Sequence, residues 1–466
     1  MATLSLQGRR AVVVGLGKSG IAAARLLARE GAQVALCDGK SEAELGAPLA
    51  ALHDVAQERF LGGIRAEAFA GRDLIVVSPG VPPALPALKD ASEKIETIGE
   101  VELASRYIEE PIAGITGTNG KSTTTALTAH LLASAGRRVF AGGNLGTPLS
   151  QRALDGGALD VSVCELSSYQ LESIVRMRCA AAAVLNVTPD HLERYPTLDA
   201  YAAAKQRIFE NQRAGDVAAL NLADARVRAM RTPTATRREG FDPRFPAPDA
   251  APAQAAGSRV PLVAAMLGPR TLGVERQTYE LRAKTLRGAH NAENALAAIL
   301  LARHFGADPA AIQRGLDAYP GLPHRLESIA APQGPSGVEW INDSKATNVD
   351  SVEKSLAAFE ADGAKVILIL GGRGKGAPYA PLRPLFANRV KALLTVGEDA
   401  PRIAAELGDL APLHACGDLR AAIAKARSLA RAGDTVLLSP ACASYDQFKS
   451  FEDRGAQFKQ MVRGEA

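Results

Sequence analysis

Cysteine is scarce in this chain of 466 residues, and the five cysteines form no motif. They stand far apart, and no C-x-x-C pair is present to indicate a zinc site or a redox couple. A disulfide framework is therefore not expected, and a reducing cytosol is the simpler interpretation. The five residues are Cys37, Cys164, Cys179, Cys416 and Cys442.

Long apolar runs and strong charge are missing as well. No run approaches the roughly 20 apolar residues of a membrane span, and no apolar stretch precedes the basic pair Arg9-Arg10. A formal net charge of only +4 gives no indication of the strongly basic surface that is typical of nucleic-acid-binding proteins. We therefore expect a cytoplasmic protein with small-molecule partners, without nucleic acid and without a membrane.

Length and pattern favour three domains of the α/β class. At about 150 residues per domain, a chain of this length suggests about three. Short apolar runs alternate with helical stretches, which is typical of parallel sheets. Residues 232–261, rich in Pro and Ala, are predicted to form a peripheral loop. The predicted domains are 1–110, 111–322 and 323–466.

A glycine turn opens the first domain. Gly15-x-Gly17-x-x-Gly20 lies between a predicted strand and a helix, and Asp38 ends the next strand. Taken alone, this spacing is typical of an NAD site. The glycines specify only a tight turn that lets a phosphate approach a helix N-terminus, so another nucleotide or a purely structural turn also fits. An NAD-dependent dehydrogenase would explain this domain alone.

The second domain opens with a sharper motif, Gly117-Thr118-Asn119-Gly120-Lys121-Ser122-Thr123. It predicts a phosphate-binding loop in which backbone N–H groups hold the phosphates. Lys121 would supply a positive charge, and the Ser122 hydroxyl would bind Mg²⁺. The general pattern has glycine where this chain has Ile115. A glycine-rich turn before an ordinary helix is the structural alternative, and a P-loop switch protein would explain only this domain.

Other candidates follow predicted strands. Glu165 ends an apolar run and is well placed to bind Mg²⁺ beside the phosphate loop. His191 lies on a polar loop and fits either a metal, a phosphate or an ordinary turn. Lys205 has the sequence context of a helix-surface lysine. Asn291 is predicted to cap a helix from about residue 292, with Asn294 one turn along.

Together these motifs resemble the Mur ligase family, and the resemblance covers nearly the whole chain. It implies three domains in series: a Rossmann-like UDP-binding domain, a P-loop ATPase-like central domain and a Rossmann-like C-terminal domain. The final segment is similar to the members that add D-glutamate. The carrying segments are 117–123, 165–172, 190–191, 288–291, 322–325, 342–348 and 439–451.

The resemblance implies an ATP-dependent ligase of peptidoglycan precursor synthesis that acts as a monomer. In this reaction ATP phosphorylates the carboxylate of UDP-N-acetylmuramoyl-L-alanine. The D-glutamate amine then attacks the acyl phosphate through a tetrahedral intermediate. Two Mg²⁺ ions are implied, with Lys205 carbamylated to serve as an anionic ligand.

The resemblance also assigns residues to each ligand. The implied catalytic residues are Lys121, Glu165, His191 and Lys205, and the implied metal ligands are Ser122, Glu165, His191 and Lys205. UDP-sugar contacts are implied for Ser19, Asp38, Ser78 and Gly80, and a place near the metal and substrate for Asn144. ATP contacts outside the phosphate loop are implied for Asn291, Asn294, Arg325 and Asp343. Contacts with D-glutamate are implied for Thr347, Lys375, Ser444, Tyr445 and Phe451.

Two positions depart from the family pattern. The run Asp38-Gly39-Lys40 stands where the family usually has Asp-Thr-Arg, and Arg373 stands where an acidic residue is common. Lys40 offers a point charge where arginine would offer a planar fork of donors. We therefore expect altered contacts at both positions.

Overall fold

The computed structural model describes residues 5–55, 58–144, 146–191, 194–244, 260–332, 335–359 and 365–465. The chain divides into two compact units, Met1–Tyr279 with Glu293–Gly315, and Glu280–Ala292 with Leu316–Ala466. Three sheets of five, nine and six strands follow one another along the chain. The predicted α/β class is confirmed. None of the described helices combines the length and apolar character needed to cross a membrane.

The first sheet is parallel and has the strand order β3-β2-β1-β4-β5. Its central strands are almost fully buried because helices cover both faces of such a sheet. The order reverses direction between β1 and β4, which places a crevice at their carboxyl ends. The strands are β1 Arg10–Val14, β2 Gln33–Asp38, β3 Glu58–Leu61, β4 Leu74–Val77 and β5 Glu96–Gly99. The helices are α1 Lys18–Arg29, α2 Gly46–Ala50, α3 Pro86–Ser92 and α4 Glu100–Ser105.

Two buried glutamates of α4 accept hydrogen bonds from backbone N–H groups in two connections between strands of the central sheet. Glu102 accepts hydrogen bonds from three consecutive backbone N–H groups, those of residues 175–177, at 2.8 to 3.0 Å. Glu100 accepts one from the backbone N–H of Ser150 at 2.5 Å. Arg106 pairs with Glu102 at 2.8 Å. Buried carboxylates thus fix the first sheet against the second within this unit.

The central sheet has the order β14-β13-β12-β11-β10-β9-β6-β8-β7. Strand β6 lies between β9 and β8, and all three are parallel, so the loops that follow them meet at one edge. Strands β12 and β13 pair in antiparallel fashion. The strands are β6 Ile112–Thr116, β7 Val139–Gly143, β8 Val161–Glu165, β9 Cys179–Val184, β10 Val217–Asn221, β11 Arg237–Asp242, β12 Leu262–Gly268, β13 Thr271–Val274 and β14 Gln277–Glu280.

Helices connect these strands, and several have clear caps. Ser167 and Gln170 form a capping box at the start of α7. The Thr197 side chain accepts from the backbone N–H of Ala200 and caps α8. The helices of this region are α5 Lys121–Ser134, α6 Leu149–Asp155, α7 Ser168–Leu171, α8 Leu198–Gln206, α9 Ala225–Ala229, α10 Ala289–His304 and α11 Pro309–Ala318.

The predicted peripheral loop at residues 232–261 is wrong in part. Residues 237–242 form β11, which pairs in parallel with β10. The charged residues Arg237 and Glu239 make this strand difficult to recognise from the sequence. In the structure Glu239 is buried, and its carboxylate forms an ion pair with Arg237 at 2.8 Å. Residues 245–259 of the predicted loop lie outside the described part of the chain.

The third sheet has the order β15-β16-β20-β17-β18-β19. Its strands are parallel except for the antiparallel pair β15 and β16. Strand β20 lies between β16 and β17, so the loops after these three strands meet at one edge. The strands are β15 Glu327–Ile329, β16 Glu339–Asn342, β17 Val366–Gly371, β18 Val390–Val396, β19 Leu413–Gly417 and β20 Thr435–Leu438. The helices are α12 Val349–Ala357, α13 Arg383–Phe386, α14 Ala400–Leu407, α15 Leu419–Leu429 and α16 Phe451–Arg463.

Candidate active site

The glycine turn after β1 is packed against the loop after β4. Gly15 has a φ of +89°, and a Cβ atom on Gly20 would lie 1.9 Å from the Gly15 carbonyl oxygen. The Ser78 hydroxyl donates to that same oxygen at 2.7 Å. A Cβ atom on Gly17 would meet no atom within 4 Å. The first and third glycines therefore close the turn, while the second faces open space.

Asp38 and Ser78, two predicted ligand contacts, hold this turn. The Asp38 carboxylate accepts from the Leu16 N–H at 2.7 Å and from the Lys40 N–H at 2.9 Å. Ser78 is buried beneath Gly15. Of the other predicted UDP-sugar contacts, Ser19 is half-buried and Gly80 is exposed.

The phosphate loop joins β6 to α5, as the sequence predicts. Gly120 has a φ of +87°, a left-handed conformation that favours glycine. Lys121 Nζ donates to the carbonyl oxygens of Gly117 and Thr118 at 3.0 and 2.8 Å. Ser122 and Thr123 are half-buried in the first turn of α5, and Asn119 is half-buried in the loop. A cationic side chain and a helix N-terminus therefore meet at this loop, which suits an anionic ligand.

Asn186, which the site prediction missed, clamps the loop from β9. Its Oδ1 accepts from the Asn119 N–H at 2.8 Å, and its Nδ2 donates to the Asn119 carbonyl oxygen at 3.2 Å. The same Nδ2 donates to Glu293 at 2.8 Å, and the Asn186 carbonyl oxygen accepts from the Thr118 N–H at 2.9 Å. The only signal in the sequence is the position of Asn186 directly after an apolar strand.

Glu165 ends β8 beside the loop and is only 3% exposed. Asn144 Nδ2 donates to Glu165 Oε1 at 2.7 Å. The other oxygen, Oε2, is buried and receives no hydrogen bond from the residues that the structure describes. Such an orphaned carboxylate oxygen fits a hard divalent cation. Within the described residues no group of three His, Cys, Asp or Glu side chains forms a metal cluster.

Lys205 is buried, and the prediction of a surface lysine is wrong. Its side chain is 1% exposed, and Nζ donates to the Gly117 carbonyl oxygen at 2.9 Å. Nζ also lies 4.3 Å from the centroid of the Tyr201 ring. Burial, reinforced by the charge of Lys121, lowers the pKa of Lys205 from 10.5 to about 6. A neutral amine is therefore held against the phosphate loop.

His191 lies on the loop after β9 with a φ of +53°. Its Nδ1 lies 2.9 Å from the Tyr169 hydroxyl oxygen, and its Nε2 lies 3.6 Å from Asp190 Oδ2. The His191 ring centroid is 5.0 Å from that of Tyr169 and 6.1 Å from that of Tyr201. Tyr201 thus contacts both His191 and Lys205, and the loop is tied to α8 by aromatic packing.

The two asparagines of α10 have different partners. Asn291 lies inside the helix, which begins at Ala289, so the predicted capping role is wrong. Its Nδ2 donates to the Arg287 carbonyl oxygen at 2.9 Å. Asn294 Oδ1 accepts from the Thr124 hydroxyl at 3.1 Å and stands 2.3 Å from where a Cβ of Gly120 would lie. Both asparagines are buried.

In the second unit, Asp343 follows β16 and is buried. Its Oδ2 accepts from the hydroxyls of Ser355 and Ser439 at 2.6 and 2.8 Å, and its Oδ1 accepts from the Leu326 N–H at 3.2 Å. Burial raises the pKa of Asp343 from 3.8 to about 6 despite these donors. Asp343 therefore joins the loop after β16 to helix α12, to the loop after β20 and to the segment before β15. Arg325 is half-buried in the segment before β15.

Four of the five predicted D-glutamate contacts lie on the loops that follow β16, β17 and β20, and the fifth begins the helix after the last of these loops. Lys375 is exposed, Ser444 is buried, and Tyr445 is 66% exposed. Phe451 begins α16, and its ring lies 3.8 Å from Lys345 Nζ. Thr347 is half-buried after β16. The fold therefore brings these residues to one edge of the third sheet.

Arg373, the second departure from the family pattern, forms a surface ion pair. Its guanidinium donates to Glu398 at 2.9 and 3.0 Å. Its backbone pairs with Ala443, where both hydrogen bonds measure 2.9 to 3.0 Å. The side chain therefore turns to Glu398, and its backbone joins two of the three loops.

Arg454, also missed by the site prediction, is a buried hub for these loops. Its Nε and Nη2 donate to Ser344 Oγ and to the Ser344 carbonyl oxygen, each at 2.9 Å. The same guanidinium donates to the carbonyl oxygens of Cys442 and Ala443 at 3.2 and 3.4 Å. Burial lowers its pKa from 12.5 to about 10. Nothing local in the sequence distinguishes this arginine from a surface residue of α16.

Comparison with known proteins agrees with this arrangement. Residues 9–99 match the Mur ligase MurD-like N-terminal domain, residues 115–302 the Mur ligase middle domain, and residues 324–442 the Mur ligase glutamate ligase domain. The UDP-N-acetylmuramoylalanine–D-glutamate ligase of Anaeromyxobacter dehalogenans is 55% identical to this chain, with 100% of each chain covered. The chain belongs to the Mur ligase family. The corresponding ligase of Myxococcus xanthus is 50% identical, with 99% of each chain covered.

Solved structures share the Mur ligase fold. The MurF ligase of Thermotoga maritima in complex with ADP superposes with a TM-score of 0.60 at 16% identity, over 100% of this chain and 97% of that one. A pseudomurein peptide ligase type C from Methanothermus fervidus gives a TM-score of 0.57 at 20% identity, over 98% and 100% of the two chains. The three sheets in series are therefore those of a Mur ligase.

Proposed function

We propose that this Mur ligase adds D-glutamate to UDP-N-acetylmuramoyl-L-alanine, with ATP hydrolysis, in the cytoplasmic synthesis of peptidoglycan precursors. The proposal is carried by the convergence of Lys121, Glu165 and Lys205 around the phosphate loop. Lys121 and Lys205 both donate to the Gly117 carbonyl oxygen, at 3.0 and 2.9 Å. The full-length relatives named for this reaction support the choice of substrates.

The chemistry requires a site that neutralises phosphate charge. A carboxylate is a poor electrophile, so ATP first converts it to an acyl phosphate with a good leaving group. The phosphate loop and the N-terminus of α5 hold the transferring phosphoryl group, and Lys121 offsets its charge. The D-glutamate amine then attacks the acyl carbon, and phosphate leaves from the tetrahedral intermediate.

The oxygen donors beside the loop fit Mg²⁺. Glu165 Oε2 is buried without a hydrogen bond from the described residues, and Ser122 lies in the first turn of α5. Mg²⁺ held there would neutralise charge on the phosphates and polarise the phosphoryl oxygen. Asn144 orients the carboxylate through Oε1 at 2.7 Å. We assign His191 and a carbamylated Lys205 to the second of two ions.

The surroundings of Lys205 favour carbamylation. Its amine is buried at 1% exposure, and its lowered pKa of about 6 leaves it neutral near pH 7. Only the neutral amine has the lone pair that attacks CO₂; the new N–C bond forms, one N–H proton is released to solvent, and the product is an anionic carbamate. Lys121 lies close enough to influence its ionisation and would balance the new negative charge. Incorporation of ¹³C-labelled bicarbonate, followed by NMR, tests the modification directly.

For the first sheet we propose that the glycine turn binds the UDP group. The open space beside Gly17 and the exposed Gly80 support a direct contact, and Ser19 lies on the same turn. Asp38 and Ser78 would act mainly by holding the turn, since their oxygens bind Leu16 and Gly15. The predicted domain limits 1–110, 111–322 and 323–466 remain our proposal for the three ligand-binding regions.

For the second unit we propose the amino-acid subsite. Thr347, Lys375, Ser444, Tyr445 and Phe451 would contact D-glutamate, because their loops meet at one edge of the third sheet. Arg325 would contact the ATP phosphates. Asp343 would act with it by joining the loops, and Asn291 and Asn294 would meet adenine.

The test is phosphate release from ATP and Mg²⁺ in the presence of UDP-N-acetylmuramoyl-L-alanine. D-Glutamate, L-glutamate, L-lysine or meso-diaminopimelate is added in separate reactions. We expect release only with D-glutamate, and its loss in Lys121→Ala but not in Lys89→Ala, which alters an exposed lysine of α3. Release with another amino acid would agree with membership of the family but would refute D-glutamate as the substrate. Turnover of ATP without any UDP-sugar would favour a nucleotide switch instead.

A further inference from the structure

The hydroxyl of Tyr379 contacts two side chains from different loops of the third sheet. It donates to Asp399 Oδ2 at 2.5 Å and lies 3.0 Å from Cys442 Sγ. Asp399 follows β18, Cys442 follows β20, and Tyr379 lies on the connection after β17. These strands are parallel neighbours in the order β20-β17-β18. One hydroxyl therefore joins the connections that leave three adjacent strands.

The Asp399 carboxylate fixes the direction of both hydrogen bonds. A carboxylate accepts hydrogen bonds and cannot donate one, so the single hydrogen of the phenol points to Asp399. The phenolic oxygen can then only accept from Cys442, whose S–H is a weak donor. Cys442 is buried, and burial raises the pKa of its thiol to about 11, so the sulfur keeps its hydrogen near pH 7. The result is a chain of hydrogen bonds from the Cys442 thiol through the Tyr379 hydroxyl to Asp399.

Asp399 occupies the N-cap position of α14 without capping the helix. Aspartate commonly caps a helix through its side chain, yet among the described residues the Asp399 carboxylate makes no capping hydrogen bond. It is turned instead to Tyr379, and a Cβ atom on Gly374 would lie 2.1 Å from Asp399 Oδ2. The Asp399 N–H donates to the Gly372 carbonyl oxygen at 2.9 Å. Asp399 therefore packs against the glycine loop that carries Lys375, a proposed D-glutamate contact.

Two side chains of α14 hold Tyr379 itself. Glu406 Oε2 accepts from the backbone N–H groups of Tyr379 and Ala380 at 2.6 and 3.1 Å. The guanidinium carbon of Arg402 lies 5.6 Å from the centroid of the Tyr379 ring, and its Nη2 donates to the Gly376 carbonyl oxygen at 3.3 Å. The Tyr379 side chain is only 2% exposed. Its hydroxyl is thus directed at Asp399 from a fixed backbone.

We propose that Tyr379 is a positioning residue of the amino-acid subsite, whose hydroxyl holds Asp399 and the glycine loop with Lys375 in place relative to the loop that carries Ser444. Lys375 and Ser444 follow different strands, so they reach one ligand only if their loops keep a fixed separation. The ligand, an amino acid with two carboxylates, rests on the proposed function, whereas the chain of hydrogen bonds does not.

The first test observes the thiol without catalysis. Infrared spectra of the protein without substrates show the S–H stretching bands of its five cysteines, and the Cys442 band is assigned by its loss in Cys442→Ser. Donation to an oxygen weakens the S–H bond and lowers the frequency of this band. We expect the Cys442 band to move to higher frequency in Tyr379→Phe, because the acceptor is removed, and the other four bands to stay in place.

Tyr279→Phe is the matched control. It also removes a buried tyrosine hydroxyl, but that oxygen makes no hydrogen bond with any residue that the structure describes. We expect it to leave the Cys442 band unchanged. Phenylalanine fills the space of either tyrosine ring, so thermal unfolding should confirm that both variants remain folded.

The second test compares the substrates by steady-state kinetics. We expect Tyr379→Phe to raise the KM for D-glutamate about tenfold, as fits the loss of one hydrogen bond to a charged group. The KM for ATP should change less than about threefold, and Tyr279→Phe should change neither value. Asp399→Ala should act like Tyr379→Phe, and the double variant should resemble either single one, because the two side chains act as one unit.

Each outcome decides a separate part of the proposal. A Cys442 band at the same frequency in the wild type and in Tyr379→Phe would overturn the chain of hydrogen bonds. A shifted band with an unchanged KM for D-glutamate would overturn the positioning role, and so would an equal loss for ATP or additive effects of the two substitutions. A wild type without D-glutamate ligase activity would refute the proposed function, while the infrared bands would still decide the chain.

Discussion

Lys205 Nζ lies 2.9 Å from the carbonyl oxygen of Gly117, so a buried amine of α8 touches the phosphate loop directly. Lys205→Met keeps an unbranched side chain that is one atom shorter and removes the terminal nitrogen. We expect kcat to fall at least about 100-fold, because the site loses both an anionic ligand after carbamylation and a contact with the loop.

The measurement is steady-state phosphate release, with ¹³C NMR of the carbamate as a parallel readout. Lys89→Met, at an exposed position of α3, serves as the control and should retain full activity. A Lys205→Met protein with more than a tenth of the wild-type kcat would remove Lys205 from the catalytic residues.

Glu100 predicts a pH-dependent stability. Burial raises the pKa of this carboxyl from 4.5 to about 7, against the hydrogen bond from Ser150. Between these two values the folded protein binds more protons than the unfolded chain, so the free energy of unfolding falls as pH rises through this window. Glu100→Gln removes this titration. We expect the free energy of unfolding of this variant to exceed that of the wild type by about 1 to 3 kcal/mol at pH 8, and to equal it near pH 4.

Urea unfolding at several pH values between 4 and 8 measures this difference. Glu109→Gln changes an exposed glutamate close in the chain and retains Glu100, so its stability should follow the same pH dependence as that of the wild type. A difference between Glu100→Gln and the wild type that stays constant with pH would contradict the raised pKa.

Substitution of two glycines in the glycine turn after β1 distinguishes a structural role from a role in ligand binding. Gly20→Ala places a Cβ atom 1.9 Å from the Gly15 carbonyl oxygen. We expect it to lose at least about 2 kcal/mol of stability through overpacking. A Cβ atom on Gly17 meets no protein atom within 4 Å. Gly17→Ala should therefore fold normally yet raise the KM for the UDP-sugar, because the methyl group would occupy the proposed position of the phosphate.

Thermal unfolding and steady-state kinetics of the two variants make the comparison. If Gly17→Ala binds the UDP-sugar as well as the wild type does, the turn is structural and the UDP group binds elsewhere.

Arg454 predicts a selective effect on the amino-acid subsite. Its planar guanidinium donates to Ser344, Cys442 and Ala443, which lie on two of the loops that carry the proposed contacts. Lysine keeps the charge but cannot reach several acceptors at once. We expect Arg454→Lys to raise the KM for D-glutamate about tenfold and to change the KM for ATP less than threefold.

Arg420→Lys, at an exposed position of α15, is the matched control for Arg454→Lys. Equal losses for both substrates, or an equal loss in the control, would show that Arg454 has only a general role in stability.

Apolar runs and glycine turns made much of this architecture predictable. The runs before Gly15, Gly117 and Glu165 form central strands of parallel sheets, and the polar residues after them collect at the carboxyl edges. These features depend on local composition, which the sequence displays directly. The strand at residues 237–242 escaped prediction because its charged residues find partners within the fold.

The burial of particular polar side chains could not be predicted from the sequence. Lys205 has alanine neighbours and looks exposed in the sequence, yet the fold covers it with the phosphate loop. Asn186 and Arg454 bind backbone groups that are distant in the chain, at separations of 67 and 110 residues. Such contacts follow from tertiary packing, so no local pattern marks them.

The carboxylate of Glu102 couples the hydrogen exchange of three backbone amides. The N–H groups of residues 175–177 all donate to it, although Val175 itself has an exposed side chain. Solvent can replace those protons only when these hydrogen bonds to Glu102 open. Their exchange rates therefore report, in one unmodified protein, how often the contact between α4 and the segment after α7 opens.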